Sequence, residues 1–223
     1  MAKFNIVGAG PGSPDYVTPA AKKTVNQADL VIGAQRSLNL FHAEIKREKI
    51  VLTAKNLNDA LKKAAESVRG GKNVALLSTG DPGFSGLLHT VLASGLFDSS
   101  EINVIPGISS IQACAARLNI SWDNTRLFTF HDKVSDDEKE KLISAVKCGR
   151  TILLLPNPRG FAPQDIASFL IDLDIDKETP VFVCENITLE NERITSSKLG
   201  QIVGQSFGSL CVMVIKADNQ GTG

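Results

Sequence analysis

The sequence predicts an α/β protein with a parallel N-terminal sheet, a mixed C-terminal sheet and flanking helices. Through the first half, short apolar runs alternate with helix-period stretches, the signature of parallel strands joined by crossover helices. Beyond residue 125, strands follow one another with only two strong helical stretches between them, as in a sheet of mixed direction. At 223 residues, 43% hydrophobic and 22% charged, the chain is too apolar for disorder and long enough for one large or two small cores. The polar stretch 119–125 is the expected boundary, giving domains of residues 1–118 and 119–223.

The elements follow in order. Residues 4–7 form the first strand and 18–27 a helix, where Thr18 supplies a capping hydroxyl and Pro19 occupies the first turn, in which its missing N–H costs nothing. Residues 30–32 read as a strand, 37–42 as a short helix and 50–52 as the next strand. Leu57, Ala60, Leu61, Ala64, Ala65 and Val68 make one apolar stripe, ended by Gly70-Gly71, so 57–69 is an amphipathic helix. Strand 74–78 runs into a glycine-rich turn, a helix starts at Ser85, and strand 102–105 leads through Pro106-Gly107 to a helix over 111–118. Strands are then expected at 127–130, 151–155, 180–184, 193–195 and 210–215, with helices at 136–147 and 163–170. Residues 219–223 read as a frayed tail.

Charge narrows the partners. Basic and acidic residues number 24 each, so no basic field grips a phosphate backbone, and nucleic acid is not an expected partner. Cys114, Cys148, Cys184 and Cys211 form no Cys-x-x-Cys and no metal-ligand spacing with the three histidines. They read as small hydrophobes in a reducing cytoplasm, with no metal site. His42 and His89 lie on helical stretches and read as structural or solvent-facing. The N-terminal apolar run is too short for a signal peptide, and no run reaches the ~18 residues of a membrane span.

Three loops leave strand ends on the expected carboxyl edge of the first sheet, where ligands of such sheets bind. After the first strand comes Gly8-Ala9-Gly10-Pro11-Gly12-Ser13-Pro14-Asp15. Its Gly-x-Gly-x-Gly spacing, its late helix start and the absence of an acidic residue after the second strand all oppose a dinucleotide site. Thr79-Gly80-Asp81-Pro82-Gly83-Phe84-Ser85-Gly86 is the second loop, with Asp81 expected at an exposed crest and Ser85 as a helix cap. The third, Pro106-Gly107-Ile108-Ser109-Ser110, carries two hydroxyls into a helix start. Each loop alone also fits an ordinary turn or cap.

In this order and spacing, these loops, with Thr18-Pro19 and Ala28-Asp29, resemble the tetrapyrrole methylase family, the S-adenosylmethionine-dependent methylases of sirohaem and corrin synthesis. The resemblance spans essentially the whole chain. Gly33-Ala34-Gln35-Arg36-Ser37-Leu38, Val183-Cys184-Glu185-Asn186-Ile187-Thr188 and Glu192-Arg193-Ile194 look most like the branch that methylates C5 of cobalt-precorrin-7. Some relatives in that branch carry a fused decarboxylase, and this chain corresponds to the methylase half.

The resemblance implies the two-domain fold of class III methyltransferases, a homodimer, a tetrapyrrole substrate and S-adenosyl-L-methionine held between the domains. Carried over, Gly8, Gly10 and Pro11 border the cofactor, while Gly80, Asp81 and Phe84 shape its methionine and ribose end. Ser109 and Ser110, with Leu154 or Leu155, line its adenosine end. Where the branch commonly has Ser-x-His-Gly-Arg, this chain has Thr129-Phe130-His131-Asp132-Lys133. His131 is thus the candidate catalytic or orienting group, and Arg36, Thr129, Lys133 and Arg159 are candidate substrate contacts. Lys133 offers a point charge where an arginine would offer a fork. Two rival readings are a same-fold methylase acting on another precorrin carbon, a protein or ribosomal RNA, and a non-catalytic small-molecule-binding subunit.

Overall fold

The computed structural model describes residues 2–131 and 134–216 and divides into two compact units, one ending at Ser109 and the other beginning at Ser110. In the first unit five strands, β1 (Phe4–Gly8), β2 (Leu30–Gly33), β3 (Glu48–Val51), β4 (Val74–Ser78) and β5 (Ile102–Ile105), form a sheet of order β3-β2-β4-β1-β5. Every pairing is parallel.

Alternation along the central strands sorts their side chains to two faces. Phe4, Ile6, Leu30, Ile32, Val74 and Leu76 pack with Ala60, Leu61, Ala64 and Val68 of α3 (Leu57–Arg69) and Val91 of α4 (Leu87–Ser94). Val7, Val31, Ala75 and Leu77 pack with Ala21 and Val25 of α1 (Pro19–Gln27) and Leu38 of α2 (Gln35–Leu40). The chain leaving β1 therefore passes to one face of the sheet and the chain leaving β4 to the other. Thr18 caps α1 by accepting from the Ala21 N–H at 3.1 Å. A 3-10 turn at Pro14–Tyr16 precedes it.

The second unit holds β6 (Thr125–Thr129), β7 (Thr151–Leu155), β8 (Pro180–Glu185), β9 (Arg193–Lys198) and β10 (Cys211–Ile215) in the order β6-β7-β10-β8-β9. β6 and β7 are parallel and the remaining pairs antiparallel, which is the mixed sheet expected from closely spaced strands. Leu142 of α6 (Asp136–Lys147), Ile166 and Leu170 of α7 (Pro163–Ile171), and Leu199 and Ile202 of α8 (Leu199–Ile202) cover the face formed by Ile152, Leu154, Val181, Val183, Met213 and Ile215.

The unit division precedes the expected 118/119 boundary. The reason is α5 (Ser110–Arg117), whose buried Ile111, Cys114 and Ala115 go with packing on β7 and β10. Among the described residues no helix is long and apolar enough to cross a membrane. The expected frayed tail lies outside the described residues.

Candidate functional site

In the first unit the carboxyl ends of β4, β1 and β5 are neighbours, and their loops meet backbone to backbone. A Cβ on Gly8 would stand 2.4 Å from the Gly107 nitrogen and 2.9 Å from the Gly80 oxygen. One on Gly107 would stand 2.4 Å from the Gly80 oxygen. No side chain fits at Gly8 or Gly107, whose identity is what allows the loops to converge. Gly10 and Gly80, with φ of +76° and +68°, donate to each other's carbonyls at 3.3 and 2.9 Å. Left-handed backbone of this kind is open to glycine at little steric cost. Pro11 is buried and Phe84 half-buried beside this bridge in sequence.

Asp81 departs from its expected position at an exposed crest. It is only partly exposed, and its Oδ1 accepts from the Gly83 N–H at 2.8 Å while Oδ2 accepts from the Gly107 N–H at 3.0 Å. The carboxylate thus latches the second loop to the third. Ser85 is likewise not the cap of α4. Gly86 takes that position without a side-chain hydrogen bond, and Ser85 sits in left-handed backbone at φ 54°. Gly86 is required because a Cβ there would lie 2.6 Å from the carbonyls of both Asp81 and Pro82.

Arg36, in the first turn of α2, reaches the Thr79 hydroxyl at 3.5 Å and so places a cation beside the end of β4. Ser109 is 7% exposed, with its Cα 3.7 Å from where a Gly80 Cβ would be, and Ser110 opens α5. Gly8, Gly10, Gly80, Asp81 and Ser109 are therefore assembled on one sheet edge, with Arg36 at its margin.

In the second unit β10 is antiparallel to both β7 and β8, so β6, β7 and β8 point the same way and end on one edge. Thr129, the last residue of β6, accepts the His131 N–H at 3.4 Å. The His131 carbonyl accepts from Asn157 Nδ2 at 3.4 Å. The imidazole is on an exposed residue, while the intervening Phe130 is fully buried. Arg159 is exposed in the turn that Asn157 caps through a 3.0 Å bond to the Arg159 N–H. Leu155 ends β7 half-buried, but the Leu154 side chain is wholly inside the core with Ile152 and Met213. Leu154 can therefore offer a ligand only backbone. Lys133 lies outside the described residues.

The residues that mark the branch at the end of β8 turn out to be braces. Glu185, 5% exposed, accepts from Arg193 Nε at 2.7 Å and from the Gly208 N–H at 2.7 Å. Glu192 accepts from the Thr188 N–H at 2.6 Å and pairs with Arg117 at 2.9 Å. Between them Asn186 and Thr188 hold positive φ, 51° and 71°. For a β-branched threonine this is an outlier that surrounding structure must hold in place. The glutamates were visible in the sequence, but nothing local distinguished a brace from a substrate contact. Gly107 was visible too, and its signal was its place after a strand and a proline.

A parallel sheet with glycine loops crowded at its carboxyl edge, followed by a mixed sheet in a second unit, defines the class III methyltransferase architecture. Residues 3–203 match the profile of the Tetrapyrrole (Corrin/Porphyrin) Methylases, and the chain belongs to that family. It is 42% identical over 96% of its length to a protein of Methanocaldococcus jannaschii described as a probable cobalt-precorrin-7 C(5)-methyltransferase, and it covers 98% of that protein. The methyltransferase CobJ shares its fold with a TM-score of 0.81 at 18% identity, covering 100% of this chain and 98% of that one. The uroporphyrin-III C-methyltransferase of Thermus thermophilus, solved with S-adenosylhomocysteine, superposes with a TM-score of 0.75 at 20% identity over 96% and 92% of the two chains.

Proposed function

We propose that the chain is an S-adenosylmethionine-dependent C-methyltransferase of corrin-ring assembly that methylates C5 of cobalt-precorrin-7. The observation that carries this reading is the 42% identity, over nearly all of both chains, to the probable C(5)-methyltransferase. The proposal includes a cytoplasmic homodimer, the latter to be checked by light scattering.

The site residues suit the cofactor. It bears a sulfonium and no phosphate, so it needs close backbone approach and hydroxyls rather than a basic anion cradle. The junction of Gly8, Gly80 and Gly107, packed backbone to backbone, supports that approach by keeping side chains out of this part of the sheet edge, with Gly10, Pro11, Phe84, Ser109, Ser110 and the end of β7 at Leu155 as further contacts. When bound, the cofactor supplies an electrophilic methyl group.

The protein's work is then to hold the nucleophilic ring carbon about 3 Å from that methyl and to exclude water. Arg36 and Arg159, with Lys133, are assigned to the carboxylates at the rim of the tetrapyrrole, and Thr129 and His131 to orienting the ring or moving a proton near it. The test is incubation with labelled S-adenosylmethionine and a panel of corrin intermediates, followed by NMR assignment of the new methyl. Label at C5 is expected, and label at another carbon overturns the assignment.

A further inference from the structure

Cys114 and Cys184 belong to neither sheet edge, yet they are 0% exposed and their Sγ atoms stand 3.2 Å apart across 70 residues of chain. Val181 and Val183 of β8 face the core under α6, α7 and α8. Strand alternation turns Cys184 to the opposite face, toward α5. The same helix is held a turn further on, where Arg117 pairs with Glu192 and Glu192 in turn accepts the Thr188 N–H just beyond β8. Both thiols are therefore fixed in position before any reaction. We propose that Cys114 and Cys184 are a thiol–disulfide switch that fastens α5 to β8 on oxidation.

A disulfide needs its sulfurs about 2.05 Å apart, so closure asks for an approach of roughly 1 Å. The Cys114 thiol donates to Cys184 Sγ, and that bond raises Cys114 above the ordinary thiol range and lowers Cys184 below it. Cys184 is thus the sulfur that ionises first, and the thiolate is the nucleophile. The oxidant is a small neutral peroxide, which apolar packing admits more readily than a bulky disulfide. Cys184 thiolate attacks one peroxide oxygen, the O–O bond breaks, and hydroxide leaves a sulfenic acid. Cys114 then attacks the Cys184 sulfur, forming the S–S bond and expelling the hydroxyl, which leaves as water with the Cys114 proton. In sum two thiols and one hydrogen peroxide give one disulfide and two waters.

The experiment uses a Cys148→Ser background, because Cys148 is exposed and would cross-link chains. After hydrogen peroxide the protein is unfolded, alkylated and digested without reductant. Expected are a Cys114–Cys184 cross-linked peptide, a chain lighter by two hydrogens, one remaining thiol, and a melting temperature that rises and returns with dithiothreitol, as a cross-link closing a long loop produces. Cys114→Ala and Cys184→Ala should each lose the thermal shift. If either variant does not fold, the peptide map of the parent decides alone. Recovery of both cysteines alkylated, sulfinic acid without a cross-link, or pairing of Cys184 with Cys211 overturns the proposal. A second arm, resting on the cofactor reading above, compares S-adenosylhomocysteine affinity of the two forms, since α5 begins at Ser110. A mapped cross-link with unchanged affinity removes Ser110 from the site and leaves the switch standing.

Discussion

Asp81 spends both carboxylate oxygens on backbone N–H groups, one in its own loop and one in the loop after β5. Removing it strands the Gly107 donor at a crowded junction, and an unmade hydrogen bond of this kind costs about 1–3 kcal/mol. Asp81→Ala should therefore lower the melting temperature as well as cofactor affinity, while Asp81→Asn, which keeps one acceptor, should fall between. Thermal unfolding alongside calorimetric titration checks both. The sequence made Asp81 conspicuous but placed it on a free crest, because a turn motif shows its own bonds and not the neighbouring loop that shares them. His131 differs in that its imidazole is on an exposed residue. His131→Ala should thus lower turnover while leaving S-adenosylhomocysteine affinity within about twofold, the pattern of an interaction made on the substrate side. Equal loss of both would move His131 to the cofactor.

Among the elements, α6 was legible to the residue because its signals are local. Ser135 accepts the Glu138 N–H at 3.3 Å and Glu138 reaches back to the Ser135 N–H at 3.4 Å, a reciprocal capping box. Ser135→Ala should cost about 1 kcal/mol of stability in a denaturant titration. β3 was less legible: it runs Glu48–Val51 rather than 50–52, and as an edge strand with three exposed residues it lacks the apolar run that marks buried strands. The four-residue α8 is too short to carry a period and was missed.

β10 supplies a pH test. Cys211 lies opposite Glu185, and burial first, then that carboxylate, push its thiol from 9.0 up to about 12. The folded state thus holds the proton after the unfolded chain has released it, and stability falls as pH rises from about 9 toward 12. Cys211→Val should flatten that part of the curve of melting temperature against pH.

At the level of the whole molecule, the two sheets are legible from strand spacing alone, whereas the place of α5, which packs on β7 and β10, is not, since an apolar stripe does not say which sheet it covers. The loop chemistry decides what the first sheet binds. A nucleotide phosphate would need free N–H donors at a helix start, but the Gly10 and Gly80 N–H groups are committed to each other's carbonyls and the 3-10 turn at Pro14–Tyr16 separates β1 from α1. β2 ends at Gly33 and leads into Ala34, Gln35 and Arg36, with no carboxylate for a ribose. Arg36 is a cation on that edge and argues the other way, yet one partly exposed ion pair is worth about 0–1 kcal/mol, against the roughly 8 kcal/mol of a micromolar complex. Isothermal titration should accordingly find S-adenosylhomocysteine binding at about one per chain and no heat from NAD(H) or NADP(H) at micromolar concentration. Saturable dinucleotide binding would mean that the Gly10–Gly80 bridge opens to offer its donors, and Gly8→Ala, which forces the three loops apart, would then enhance that binding instead of abolishing the site.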